Sequence, residues 1–215
     1  MKVRESLASM VISQSWSLWR QSSTERAKNV KRMILDDTWW ERVEYLLSFT
    51  EPIMSMIRYT DMDHPCLGEV YDGIDSMLEK MKHVINENKQ DPEETFFKEV
   101  QTICVERWNK MTTPLHLLAF ALTPKFYSDE ILSMPSRVPP YRDAKVSEGC
   151  RKALTKLFPE HEMENIVTSE FADFVASNGQ SASALHDKST KDAHAWWYLN
   201  GHTSPHLQTL AIKPL

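Results

Sequence analysis

The stretch DTWWERVEYLLSFTEPIMSMIRYTDMD, residues 37–63, decides the fold because it is a long amphipathic segment. Its apolar residues recur every three or four positions, the spacing that places side chains on one face of an α-helix. Thr38 followed by Glu41 fits a capping box, so we expect the helix to begin there. Pro52 removes one backbone hydrogen bond and crowds the preceding turn. We therefore expect a kink at 48–51 or two helices that meet there.

The composition of the chain is that of a globular protein built from helices. It has 215 residues, 41% hydrophobic and 26% charged, enough for one sizeable core or two small ones. Only 5 glycines disfavour an all-β protein rich in tight turns, and the 11 prolines mark element boundaries. The sequence predicts an all-α fold, an irregular multi-helix bundle with little or no β-sheet.

Charge and hydropathy exclude several broad classes of protein. The net charge of −5 argues against general electrostatic capture of nucleic acid, which needs clustered lysine and arginine. No apolar run approaches the roughly 20 residues that span a bilayer. The charged N-terminus does not fit a secretory signal. We expect a soluble intracellular protein that does not bind membranes.

The cysteines predict neither a disulfide framework nor a zinc site. Cys66, Cys104 and Cys150 are odd in number, widely separated and without CxxC spacing. Cys104 and Cys150 lie within apolar helical patterns, where a buried and inert thiol is the simpler interpretation than a nucleophile.

Two tryptophans and a basic cluster distinguish the N-terminal region. Residues 3–20 have a helical pattern in which Trp16 and Trp19 lie three apart and share a surface. A core tryptophan pair is the simpler interpretation, and an anchor for a partner protein is the alternative. Further along, four cations form either a solvated helix face or a nucleic-acid contact. They are Arg26, Lys28, Lys31 and Arg32.

The rest of the chain alternates helical patterns with proline-marked boundaries. Helices are predicted at 67–88, after Asp91-Pro92, after Thr113-Pro114, at 146–158, 160–177 and 192–200, and after Ser204-Pro205. An ordered loop is expected at 124–143 and a flexible connection at 178–189. The chain is thus divided into a helical bundle at 1–177, the linker, and a C-terminal segment at 190–215.

Four blocks of sequence carry a likeness to a known family. They are LSFTEPIMSMIRYTD at 47–61, LGEVYDGID at 67–75, ERWNKMTTPLHLLAFALTPKFY at 106–127 and AWWYLNGHTSPHLQTLAIK at 195–213. In order and spacing they resemble the C-terminal half of plant hAT-type transposases, across nearly the whole chain. The third and fourth blocks are specific together, whereas either one alone is weak.

The resemblance implies that 1–177 derives from the helical insertion of a ribonuclease-H-like domain and that 190–215 begins the hAT dimerisation region. Such transposases cut DNA with metal ions held by two aspartates and a glutamate. We expect the chain to begin after those aspartates and after the BED zinc finger, and to end before the glutamate. Pro214 also departs from the family, where an aliphatic residue usually continues the helix. The resemblance therefore implies nuclear residence but no catalytic residue, no bound metal and no cofactor.

Short motifs that are suggestive of metal binding have simpler interpretations. Asp61-Met62-Asp63-His64 has cation ligands, but it is more simply a turn after a helix. His202 and His206 are four apart, yet Ser204-Pro205 places a helix boundary between them and no third ligand accompanies them. Asp36-Asp37 is typical of helix capping rather than of a catalytic pair.

Trp196 and Trp197 are the pair for which a binding role competes with a structural one. Adjacent side chains point to different sides of a helix, so we expect at least one indole to face away from the core. Core packing and protein contact both stay open, since tryptophan serves both roles. The predicted protein-interaction residues are Trp196, Trp197, Leu207, Leu210, Trp16 and Trp19.

The resemblance implies that, in the related transposases, the first helix and the tryptophan-pair segment pack against a β-sheet that this chain does not encode. The lack of that sheet is a physical reason to expect binding. The apolar faces of the first helix and of the tryptophan-pair segment must then be repacked internally or covered by another chain. The leading hypothesis is a non-catalytic hAT-transposase-derived protein that associates with itself, with an intact hAT transposase or with another protein. The alternatives are a nucleic-acid-binding accessory protein that uses the cations at 26–32, and a host-recruited protein with an unrelated regulatory role.

Overall fold

Helices account for the regular structure of the chain. The computed structural model describes residues 2–87, 95–135, 137–177 and 180–213, and these ranges contain no strand, which confirms the all-α prediction for them. The predicted helix start at Asp91-Pro92 and the departure at Pro214 lie outside the described residues. The α-helices within the ranges are α1 (Lys2–Ile12), α2 (Gln14–Leu18), α3 (Glu25–Leu35), α4 (Asp37–Thr60), α5 (Leu67–Glu87), α6 (Thr95–Met111), α7 (Pro114–Ala121), α8 (Asp129–Leu132), α9 (Ala144–Leu157), α10 (His161–Val175), α11 (Ala182–Thr190), α12 (Ala193–Asn200) and α13 (Pro205–Ala211).

The cap of α4 lies two residues before the predicted capping box at Thr38. The N–H of Thr38 donates to the Oδ1 atom of Asp36 at 3.0 Å, so Asp36 caps the helix and Thr38 lies inside its first turn. An aspartate before the first turn satisfies an otherwise unpaired amide and places a negative charge at the positive end of the helix. The expectation that the 36–37 pair serves helix capping is confirmed for Asp36.

Helix α4 runs without a break through Pro52, so the expectation of two separate helices is wrong. Proline lacks the amide that would donate to the carbonyl four residues earlier, so the helix continues with one backbone hydrogen bond fewer. The Thr50 hydroxyl donates to the Leu46 carbonyl at 2.7 Å. Pro52 itself is buried within the helix.

The chain divides into two compact units, Met1–Pro52 and Ile53–Leu215, and the boundary falls inside α4 beside the proline. This differs from the predicted division at 178–189. The described part of the C-terminal segment, 190–213, belongs to the second unit because its apolar side chains enter the same core as those of α7 and α9. Distant parts of the sequence share that core, which local composition does not reveal.

In the first unit a few side chains are buried. Val11 of α1, Ala27 of α3 and Trp40 of α4 are each less than a tenth exposed. The Trp40 indole donates to the Ile34 carbonyl at 2.8 Å, and Arg4 pairs with Asp37. These contacts tie α1, α3 and the start of α4 together.

The second unit is built around α7, which is apolar on every side after its first turn. A helix of that kind has to be enclosed. Helices α5 and α9 pack on it, and Leu118 and Ala119 are fully buried. The buried side chains of the surrounding elements are Phe126, Val146, Cys150, Ala153, Leu154, Val167, Phe174, Trp196, Trp197, Leu207 and Ala211.

Residues 124–143, expected as a loop, contain the short helix α8 and two 3-10 turns, Pro124–Tyr127 and Pro140–Arg142. Proline starts both turns because its fixed φ suits the first position of a helix. Phe126 in the first turn is 3% exposed, with its ring centroid 4.4 Å from that of Phe120. The stretch therefore contributes to the core.

Residues 180–189, expected as a flexible connection, contain the helix α11. The Ser181 hydroxyl caps it by accepting the Ala184 N–H at 3.1 Å, and Ala184 and Lys188 are buried. The linker prediction is wrong here, because small polar residues also form a capped helix when tertiary contacts cover one side of it. Residues 178 and 179 of the predicted linker lie outside the described ranges.

Two helical glycines allow a matched test of packing against α7. A Cβ atom on Gly149 would meet the Leu117 Cβ at 2.8 Å and clash with its Cδ1, whereas one on Gly73 would meet only the flexible end of Met56 at 2.9 Å. We expect Gly149→Ala to lower the free energy of unfolding by about 1–3 kcal/mol through overpacking. Gly73→Ala should leave it unchanged or raise it by up to about 1 kcal/mol through helix propensity.

Urea unfolding followed by circular dichroism at the helix signal measures both variants against the native chain. Equal effects of the two substitutions would contradict the close approach of α9 to α7.

Candidate functional site

The tryptophan pair of α12 is enclosed. Trp196 and Trp197 are each 1% exposed, so the expectation that one faces away from the core is wrong. The Trp196 indole donates to the Ala184 carbonyl and the Trp197 indole to the Leu122 carbonyl, both at 2.8 Å. Helix α11 covers one side of α12 and the end of α7 covers the other. Neither indole is available to a partner protein.

The other predicted interaction residues differ in exposure. Leu207 is fully buried in α13, and Leu210 is half-buried against the core. In the first unit Trp16 and Trp19 lie together, with ring centroids 5.5 Å apart, but Trp19 is 47% exposed. The interpretation of this pair as core is therefore wrong for Trp19. Trp16 and Trp19, with part of Leu210, stay accessible.

The basic cluster of α3 is smaller than the sequence suggested. Helical spacing puts Lys28, Lys31 and Arg32 on one face and Arg26 on the opposite side. Lys28 pairs with Glu25 at 2.8 Å, and Arg32 donates to an asparagine on the same helix at 3.1 Å. The structure brings three of the four cations together, with part of their charge already compensated.

The histidines and cysteines singled out in the sequence form no common site in the described part of the chain. His202 lies in the 3-10 turn Gly201–Thr203 and His206 in α13, which confirms the predicted boundary between them. The His206 ring is 2.8 Å from Glu170. Cys150 is buried, and burial raises the pKa of its thiol to about 12, so it is inert at neutral pH. Cys104 is only half-buried, and burial raises its pKa.

A polar cleft of about 390 Å³ lies between the end of α4 and the starts of α5 and α12. Tyr59 donates to Glu69, which also pairs with Lys125, and the His64 ring lies edge-on to Tyr59 at 4.8 Å. The Nε2 atom of His194 is buried and has no hydrogen-bond partner among the described residues. Both acidic residues that line the cleft already have partners. Glu69 contacts Tyr59 and Lys125, and Asp192 caps α12.

No metal centre is formed by the described residues. Within the ranges that the structure covers, no group of three or more His, Cys, Asp or Glu side chains is placed to hold an ion. Residues 61–64, the Asp-Met-Asp-His motif considered for metal binding, form the turn between α4 and α5. Its His64 faces Tyr59 instead of the carboxylates beside it.

The feature that sequence reasoning missed is an open apolar groove of about 310 Å³, the α4–α6 groove. Helix α5 forms its floor, and the last two turns of α4 and the C-terminal half of α6 form its walls. Ile57, Ile103 and Met111 on the walls are 45%, 61% and 66% exposed, so a large apolar area meets solvent. The lining residues are Ile53, Met56, Ile57, Thr60, Val70, Ile74, Met77, Ile103, Cys104, Arg107, Trp108 and Met111.

The sequence holds one signal for this groove. Helix α6 has a wide apolar stripe: Phe97 and Trp108 are buried, whereas Met111 beside them and Ile103 at the edge of the stripe are exposed. A helix with more apolar surface than one core contact requires has a second apolar contact to make. Periodicity alone cannot tell which part of that stripe enters the core and which part meets solvent.

Comparison with known proteins identifies no relative of this chain. The chain matches no family model, no curated protein and no solved structure. The likeness of its four blocks to hAT transposases therefore stays a prediction. No helix among the described residues is long and apolar enough to cross a bilayer.

A buried lysine lies beneath α11. Lys188 is 1% exposed, donates to the Ser177 hydroxyl at 2.9 Å, and lies 5.7 Å from the ring centroids of Tyr127 and Phe174. Burial lowers the pKa of Lys188 to about 8, against an opposing effect of Asp129. Desolvation of the ammonium is the larger effect because only one hydrogen-bond acceptor replaces its water.

The lowered pKa gives a pH dependence of stability with a definite sign. Between about pH 8 and the ordinary lysine pKa of 10.5, the unfolded chain binds a proton at Lys188 that the folded chain has released. The contribution of Lys188 to the free energy of unfolding therefore rises with pH through this window, and its cost is fully present below pH 8.

We expect the native chain to gain stability relative to Lys188→Met as the pH is raised from 7 to 10. Urea unfolding at both values measures the difference, and the subtraction cancels the tyrosines and cysteines that titrate in both proteins. Lys156→Met, at an exposed lysine of α9, controls for replacement of a lysine. If the difference in free energy of unfolding between the native chain and Lys188→Met does not change with pH, the pKa of Lys188 is not lowered by folding.

Proposed function

We propose that the chain is a non-catalytic protein descended from an hAT transposase and that it works by binding another protein. The α4–α6 groove carries this proposal, since apolar side chains that are exposed together along a concave groove are a mark of interaction sites. The tryptophan pair of α12, by contrast, is enclosed by the core and leaves no apolar surface for a partner.

Packing of the family-like blocks supports the proposed descent. Tyr71 from the second block lies 4.8 Å from Phe120 of the third, measured between ring centroids, and Trp197 of the fourth block bonds Leu122 of the third. Blocks that are distant in sequence thus form one core, as expected if their residues persist because they pack together. Nuclear residence and an intact hAT transposase as the partner follow from the same proposed descent.

The binding function predicts a partner whose capture depends on the groove. Ile103→Lys combined with Met111→Lys places charges on wall residues that are already exposed, so the fold should survive. Leu185→Lys combined with Leu199→Lys makes the same change at exposed sites outside the groove. Proximity labelling in plant cells should give proteins that the native chain and the control pair enrich and that the groove pair loses. Retention of the same proteins by both pairs would contradict binding through the groove.

The non-catalytic character predicts the absence of DNA cutting. The purified chain, incubated with supercoiled plasmid and Mg²⁺ or Mn²⁺, is expected to leave the plasmid intact, because no catalytic position of the family is carried onto these residues. Gel analysis of nicked and linear forms measures this. Nicking that depends on the added ion and follows the protein through purification would show an enzyme.

A further inference from the structure

We infer that the α4–α6 groove binds an amphipathic helix of another protein, one that carries a carboxylate beside its apolar anchors. The inference rests on the proposed function and names the chemistry of the partner. It comes from the shape of the groove, the side chains that line it and the charge at its wall.

The three helices of the groove present matching apolar stripes. The floor residues Val70, Ile74 and Met77 are spaced i, i+4 and i+7 along α5, which is two helical turns or about 10 Å. The walls have the same spacing: Ile53 and Ile57 on α4 are followed by the methyl-bearing Thr60, and α6 contributes Cys104, Trp108 and Met111. A helix with anchors at i, i+4 and i+7 matches this length, and it occupies the position of the fourth helix in a bundle.

Methionines make the groove adaptable. Met56, Met77 and Met111 come from all three of its helices. The unbranched thioether side chain fills irregular gaps, and methionine is frequent at grooves that receive helices of varied sequence. The lining therefore favours apolar side chains from a helix over a ligand with many polar groups.

The charge of the groove selects an acidic partner. Among the described residues that line it, Arg107 is the only charged side chain, and it forms no ion pair within the described part of the chain. Two copies paired groove to groove would bring two Arg107 side chains into an interface whose lining holds no carboxylate. Such a pair is electrostatically unfavourable, whereas an acidic residue on a different helix pairs with Arg107.

Display of helical peptides tests the inference directly. The full chain is immobilised and exposed to phage that display helices of about 15 residues, with leucine at i, i+4 and i+7 and with Glu, Lys or Gln at the flanking positions. Peptides with glutamate beside an anchor should be enriched. In fluorescence polarisation, Arg107→Glu should weaken the selected peptide about fivefold, whereas Lys110→Glu, on the same helix outside the groove, should not. The same peptide with lysine in place of its glutamate should regain affinity for Arg107→Glu.

The site of binding is read from cysteine modification. Cys104 lines the groove and Cys66 does not, and both are half-buried. Bound peptide should slow the reaction of Cys104 with N-ethylmaleimide, measured by mass spectrometry, and leave that of Cys66 unchanged. Protection of Cys66 alone would place the peptide elsewhere and overturn the inference.

Three further results would also overturn it: no enriched peptide, enrichment that ignores charge, or a dimer in light scattering that Ile103→Lys abolishes. The last of these makes a second copy the occupant. The labelling experiment in cells separates this failure from failure of the proposed function. Groove-dependent partners together with a negative display result reject only the acidic helix, whereas partners that ignore the groove variant reject binding through the groove itself.

Discussion

The enclosure of α7 is the constraint on which the second unit depends. Its residues from Leu117 onward have no polar side chain, so water must be excluded from every side of the helix. The chain meets this requirement with elements from both ends of the unit, α5 and α9 on the flanks and α12 at the end. The hydrogen bond from the Trp197 indole to the Leu122 carbonyl closes the arrangement, because it satisfies a backbone acceptor that burial would otherwise leave unpaired.

This enclosure decides which apolar residues are left for binding. The tryptophans of α12 are buried in the core. The Trp196 indole donates a hydrogen bond to α11, and the Trp197 indole donates one to the end of α7. Helix α6 lies outside that enclosure and contacts the unit mainly through α5, so only Phe97 and Trp108 are buried along its length. The apolar side of α6 that the core does not use faces the last turns of α4 across the floor of α5. An interaction surface thus arises where the core ends.

Two polar groups of the second unit, the hydroxyl of Tyr71 and the ammonium of Lys188, have partners within the core. The Tyr71 hydroxyl donates to Asp143 at 3.3 Å, and burial together with the neighbouring aspartates raises its pKa to about 12. The Lys188 ammonium contacts one hydroxyl and two aromatic rings, and its burial lowers the pKa of the group. These two contacts join α5 to the cap residue of α9 and α11 to Ser177, just after α10.

The sequence by itself determined the helical class, most helix boundaries and the absence of a strand signal, because periodicity, capping residues and prolines act within one or two turns. It placed α5, α7, α9, α10, α12 and α13 within a few residues of their observed bounds. Tertiary structure alone decided that Trp196 and Trp197 are enclosed, that 182–190 is a docked helix and that Ile103 faces solvent. These outcomes depend on what packs against each helix. The periodicity of a helix shows that one face is apolar, but it does not show whether the core or a partner covers that face.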